Sequence, residues 1–169
     1  MDIVDFAMNM ELDGKAFYEK QAAQATRPEL KEILLNLAEE EEKHYQFFRR
    51  LKENPSDFPN IRTFFGPQNL SRVKNIFEEM SSNPAPQAFD QNVVSAWAQA
   101  LRIEERAVTF YREKADQEKD ADRRDMLVKI GQEEERHVHM IDAVLMYLKH
   151  PAAFGESAEF MNFRSLEGW

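Results

Sequence analysis

The sequence contains no cysteine. Without thiols there is no disulfide, no thiolate nucleophile, no iron–sulfur cluster and no Cys-ligated zinc or rubredoxin-type iron. Any metal chemistry must therefore use oxygen and imidazole ligands. Glycine is scarce, 5 in 169 residues, and the 7 prolines collect at Pro28, from Pro55 to Pro86 and at Pro151. The stretches between them are free to run as long helices. No apolar run approaches the roughly 20 residues that span a bilayer. The start, MDIVDFAMNMELDG, has acids where a signal peptide has a basic region. A cytoplasmic protein without a membrane partner is expected. Positive charge is also in deficit: 22 Lys+Arg stand against 31 Asp+Glu, a formal net charge of −9. Such a surface repels phosphate backbones, so nucleic acid is not an expected partner.

What is present is 43% hydrophobic and 31% charged, a composition that closes a core. Strand-like alternation is absent, and apolar residues recurring every three or four positions predict four long helices, over about 3–24, 27–53, 91–118 and 121–149. Thr26 is the expected cap of the second, with Pro28 in its first turn and Glu29 closing a capping box. Residues 54–90 are long enough for a crossover, with a short helix from about Pro67 to Met80. Phe58, Ile61, Phe64, Phe65, Val73, Ile76 and Phe77 make this segment too apolar for a free linker. The fold class read here is all-α: a four-helix bundle over residues 1–150, made of two helical hairpins joined by that crossover. The tail, 151–169, carries Phe154, Phe160, Met161, Phe163, Leu166 and Trp169 and should dock on the bundle or on a partner subunit. So much apolar surface outside the bundle predicts a homodimer.

The sequence matches itself at an offset of 93 residues. Glu11, Phe17, Tyr18 and Ala22 fall on Glu104, Phe110, Tyr111 and Ala115, and Glu40-Glu41-Glu42-Lys43-His44 falls on Glu133-Glu134-Glu135-Arg136-His137. Each half thus reads as one hairpin. Glu11 and Glu41 are 30 residues apart, as are Glu104 and Glu134, so legs of equal length bring each pair to one level. Stepping along the apolar stripes places Glu11, Glu41, His44, Glu104, Glu134 and His137 at core positions. Four inward carboxylates repel one another and lose hydration unless cations are present. Two divalent metals supply +4 against −4. A Glu from each of two helices plus Glu-x-x-His from the other two is the inward arrangement of carboxylate-bridged di-iron and di-manganese bundles. Glu and His do not separate iron from manganese.

Tyr18 and Tyr111 follow Glu11 and Glu104 by two turns, on the same face, where their hydroxyls could orient ligand carboxylates. Glu39, Glu40, Glu42, Glu133 and Glu135 read as solvated helix-face charges, Glu105 lies off the stripe, and His139 and His150 read as surface histidines.

In these motifs, MELDGKAFYEKQA with LAEEEEKHYQFF and LRIEERAVTFYREKA with IGQEEERHVHMI, the sequence resembles the rubrerythrin-like branch of the ferritin-like superfamily. The resemblance covers about 1–53 and 91–149. It implies a ferritin-like bundle holding two irons, oxidised by peroxide or dioxygen and reduced again by an external electron-donor protein. It further implies that Glu11 and His44 bind one metal, Glu104 and His137 the other, and that Glu41 and Glu134 bridge. Rubrerythrins usually add a rubredoxin domain with four cysteines, which this sequence does not have. They also carry an extra Glu one turn before the helix-3 ligand, where Leu101 stands here, with Met8 as its repeat mate. The function expected is a di-iron carboxylate oxidoreductase that reduces hydrogen peroxide or dioxygen. A ferroxidase or iron-storage protein is the alternative.

Overall fold

A computed structural model describes residues 3–55, 70–82 and 89–154. Five helices occur among them, and no strand: α1 (Ile3–Gln24), α2 (Pro28–Glu53), α3 (Leu70–Ser82), α4 (Gln91–Gln117) and α5 (Ala121–Lys149). The four long helices lie within a residue of the spans read from the sequence. The short one is described over Leu70–Ser82, running two residues past the expected end, and its expected start at about Pro67 lies outside the described residues.

Local chemistry sets the ends. The Asp90 side chain accepts from the Asn92 backbone N–H at 2.7 Å and opens α4, and Asp120 accepts from the Arg123 N–H at 2.9 Å and opens α5. Both satisfy amide donors that a first turn leaves unpaired. Proline follows the C-caps of α2 and α5, Asn54 and His150, and cannot continue a helix. The expected Thr26 cap is corrected. Arg27 is the N-cap of α2 with no side-chain cap hydrogen bond, and Glu29 forms an ion pair with the Arg27 guanidinium instead of closing a capping box. Pro28, at the first helical position, has no N–H to satisfy there.

The helix α1 packs along α2 and α4 along α5, while α1 meets α4, and α2 meets α5, over narrower strips. Two apolar clusters form the core. One gathers Tyr18, Leu34, Leu37, Trp97, Ile141 and Val144, and the other Phe47, Phe48, Ala107, Tyr111, Leu127 and Ile130. Along each long helix the stretch between the two clusters carries buried polar residues: Glu11, Glu41 and His44, Glu104, and Glu134 and His137. The charged layer is therefore enclosed by apolar packing at both ends.

The α3 helix buries Val73, Ile76, Phe77 and Met80 in the first cluster and packs against α2, as the apolar crossover residues require. Phe154 is buried against Tyr147 and Phe77, with ring centroids 5.3 and 6.2 Å away. Phe58, Ile61, Phe64 and Phe65, and the tail from residue 155 onward, lie outside the described residues. Among the described residues no helix is long and apolar enough to cross a membrane.

Candidate metal centre

All six residues read as inward-facing are buried, none more than 4% exposed. They divide into two sets, Glu11, Glu41, His44 and Glu134, and Glu41, Glu104, Glu134 and His137; in each, one donor atom per residue lies within 4.8 Å of the others. Glu41 and Glu134 belong to both. The Nδ1 of His44 lies 2.9 Å from Glu134 Oε1 and 3.3 Å from Glu11 Oε2. The Nδ1 of His137 lies 3.2 Å from Glu134 Oε2, 3.4 Å from Glu41 Oε1 and 3.5 Å from Glu104 Oε2. The two imidazoles stack, centroids 5.9 Å apart at 24°.

Tyr18 donates to Glu104 and Tyr111 donates to Glu11, both buried. Each phenol serves the carboxylate of the other half of the chain, not the one on its own helix. Burial, with the neighbouring carboxylates added, holds both phenols well above their usual range, so they remain donors.

Without metal the centre retains protons. Burial pushes Glu41 well above the usual carboxylate range, and the charges of Glu134, Glu104 and Glu11 push it further. Burial raises Glu104 to about 7 against the opposing pull of His137. Burial would raise Glu134 too, but the two imidazoles beside it hold it well below its ordinary value. Burial lowers His44 and His137, yet the carboxylates around them outweigh this and both titrate well above 6.5.

Among the described residues, neither oxygen of Glu134, nor Oε1 of Glu41, nor either ring nitrogen of His137 completes a hydrogen bond of acceptable geometry. Buried polar atoms left so are rare. Such atoms on Glu41, Glu134 and His137, residues that lie within one donor set, fit a pair of divalent cations, which would satisfy carboxylate oxygen and imidazole nitrogen together. A cavity of about 310 Å³ lies elsewhere, between the α1–α2 turn and α4, bordered by Gln24, Arg27, Leu34, Phe89, Val93 and Trp97. It holds none of the six converging side chains, so the chemistry is placed at the carboxylate layer and not in the cavity.

Two of the charges expected in solvent are not there. Glu40 is 3% exposed and Glu133 is 1% exposed, a correction with an electrostatic cause. Glu133 pairs with Arg136 one turn on and lies 3.5 Å from Lys129, and Glu40 pairs with Lys43 at 2.6 Å. The Glu40 charge also acts on Arg136 across the α2–α5 seam. The repeated Glu-x-x-[Lys/Arg] spacing at Glu40-Lys43 and Glu133-Arg136 was the available signal. Glu39, His139 and His150 are exposed, as read.

No curated protein and no solved structure matches the chain. The rubrerythrin family model matches residues 2–145, a span holding all four long helices except the last turn of α5, the six residues of the centre, and Tyr18 and Tyr111. The chain belongs to the rubrerythrin family.

Proposed function

We propose that the chain is a ferritin-like bundle of two helical hairpins, joined across residues 54–90, that holds two irons and reduces hydrogen peroxide with electrons from an external donor protein. The observation that carries this reading is the pair of buried four-residue sets sharing Glu41 and Glu134. Glu11 and His44 would hold one metal, Glu104 and His137 the other, with Glu41 and Glu134 between them. Manganese suits the same donors. Bound irons would supply two electrons, which with two protons convert one hydrogen peroxide to two waters.

The chain's own residues define the conditions for that reaction. Tyr18 and Tyr111 hold Glu104 and Glu11 from opposite sides, keeping the ligands in register as charge at the centre changes. Apolar layers at both ends keep bulk water out, which strengthens every electrostatic interaction inside. With Leu101 one turn before Glu104, the position of the extra family carboxylate is apolar and half-buried. Six protein side chains then leave metal positions open to a small oxygen species.

Anaerobic reconstitution with ferrous iron, followed by parallel mixing with peroxide and dioxygen in stopped flow, tests the reading. Two irons per chain and faster oxidation by peroxide are expected. Faster oxidation by dioxygen, with further ferrous ions consumed and mineral formed, would replace it with the ferroxidase alternative.

A further inference from the structure

The repeat is not perfect at the centre. On α1 the residue one turn after Glu11 is Gly14, buried and facing Glu41. A Cβ placed there would lie 3.3 Å from Glu41 Oε2, 3.4 Å from its Cδ and 3.6 Å from its Cγ. The whole end of the Glu41 side chain thus rests against bare helix backbone. The repeat mate of Gly14 is Ala107, buried on α4, so the equivalent position of the other half carries a methyl group. The two shared carboxylates differ accordingly. Glu134 sits between both imidazoles, at 2.9 and 3.2 Å, whereas Glu41 reaches one, at 3.4 Å, and turns its other oxygen to α1.

We infer that Gly14 is a positioning residue that makes the two metal positions unequal: it gives Glu41 room to lean onto α1 and change its binding mode, while Glu134 stays fixed between the histidines. This rests on the metal-centre reading above. A glycine inside a helix weakens it relative to alanine, and the turn here has no positive φ to require one. The reason for glycine is then the space it leaves. In the metal-free protein Glu41 can yield by the few tenths of an ångström that a methyl group needs. With metals bound, Glu41 would be one of their ligands and would no longer be free to yield.

The two states therefore respond to Gly14→Ala with opposite sign. Titration of metal-free protein with cobalt(II), followed by absorbance and calorimetry, should give two equivalents for the wild type. Gly14→Ala should keep one and bind the second at least tenfold more weakly, while its metal-free melting temperature stays level or rises. Ala107→Gly, at the equivalent position of the other half, should keep both equivalents although its helix is weakened. Two wild-type affinities in Gly14→Ala would overturn the inference, as would an equal loss in both variants or a lowered melting temperature in metal-free Gly14→Ala. Wild-type protein that takes up no cobalt would overturn the metal-centre reading and this inference together.

Discussion

Tyr18 of α1 donates its phenolic hydrogen to Glu104 of α4, a residue from the other half of the chain. Tyr111 returns the same bond to Glu11. Seven residues of helix rise about 10 Å, so each phenol stands well along the helix from the glutamate it follows. It meets instead the glutamate of the helix opposite. The crossed pair ties α1 to α4, whose packing is narrower than that within either half, and the same two bonds fix carboxylates of the centre.

Tyr18→Phe and Tyr111→Phe keep the ring packing and leave a buried carboxylate short of one donor, which costs about 1–3 kcal/mol each. The two bonds are related by the repeat, so the two losses should be alike. Denaturant unfolding of the metal-free single variants checks this. A loss confined to one of them would mean that the crossed bonds are not equivalent.

Arg136 and Lys43 occupy matching positions of the repeat but differ in depth: the side chain of Arg136 is 13% exposed and that of Lys43 is 48% exposed. Removing a partner from a buried ion pair costs about 3–5 kcal/mol. Arg136 faces both buried carboxylates, Glu133 by its ion pair and Glu40 by its charge. Lys43 is half-exposed, and its loss leaves Glu40 with the Arg136 charge. Arg136→Ala should therefore destabilise far more than Lys43→Ala in chemical unfolding. Comparable losses would contradict the buried role given to Arg136.

Phe154 fills a space between Tyr147 and Phe77, within the cluster that also seats α3. Phe154→Ala leaves a cavity costing about 3–5 kcal/mol. The site lies outside the carboxylate layer, so metal uptake measured by elemental analysis should remain at the wild-type level. A halved metal content would tie this region to the centre.

Helix spans and inward faces were legible because both follow from spacing. Stripes that step by three or four cannot be satisfied on any other face, and Glu11 and Glu104, offset by 93 residues, report one geometry twice. Three features were not legible. The partner of Tyr18 depends on how the two halves pack, which no local pattern encodes. The burial of Glu40 and Glu133 was hidden because polar residue types read as surface until a cation is placed beside them; Arg136 supplies it for Glu133. Gly14 lay on the α1 stripe in plain view, but a missing side chain acquires meaning only once Glu41 is seen against it.

The last prediction concerns pH. Glu41 and Glu104 titrate above 4.5 in the folded metal-free protein, Glu104 at about 7, and His44 and His137 titrate above 6.5. A raised group stabilises the fold fully below its unfolded value, and that contribution is lost as pH rises through the folded value. Glu134, held low, does the reverse: its contribution is present above 4.5 and lost only in strong acid. Between pH 5.5 and 8 the raised groups govern, so metal-free protein should melt at a higher temperature at the lower pH. Divalent metal displaces these protons, and its stabilisation should grow over the same interval. At a hundredfold excess over Kd it adds about 2.7 kcal/mol, roughly 5–10 °C for a domain of this size. Thermal unfolding with and without manganese(II), at pH 5.5, 7 and 8, measures both trends. Glu41→Gln, which has no proton to gain or lose, should flatten the metal-free slope. A metal-free wild type that melts higher at pH 8 than at pH 5.5 would mean that the protons are not held at the carboxylate layer.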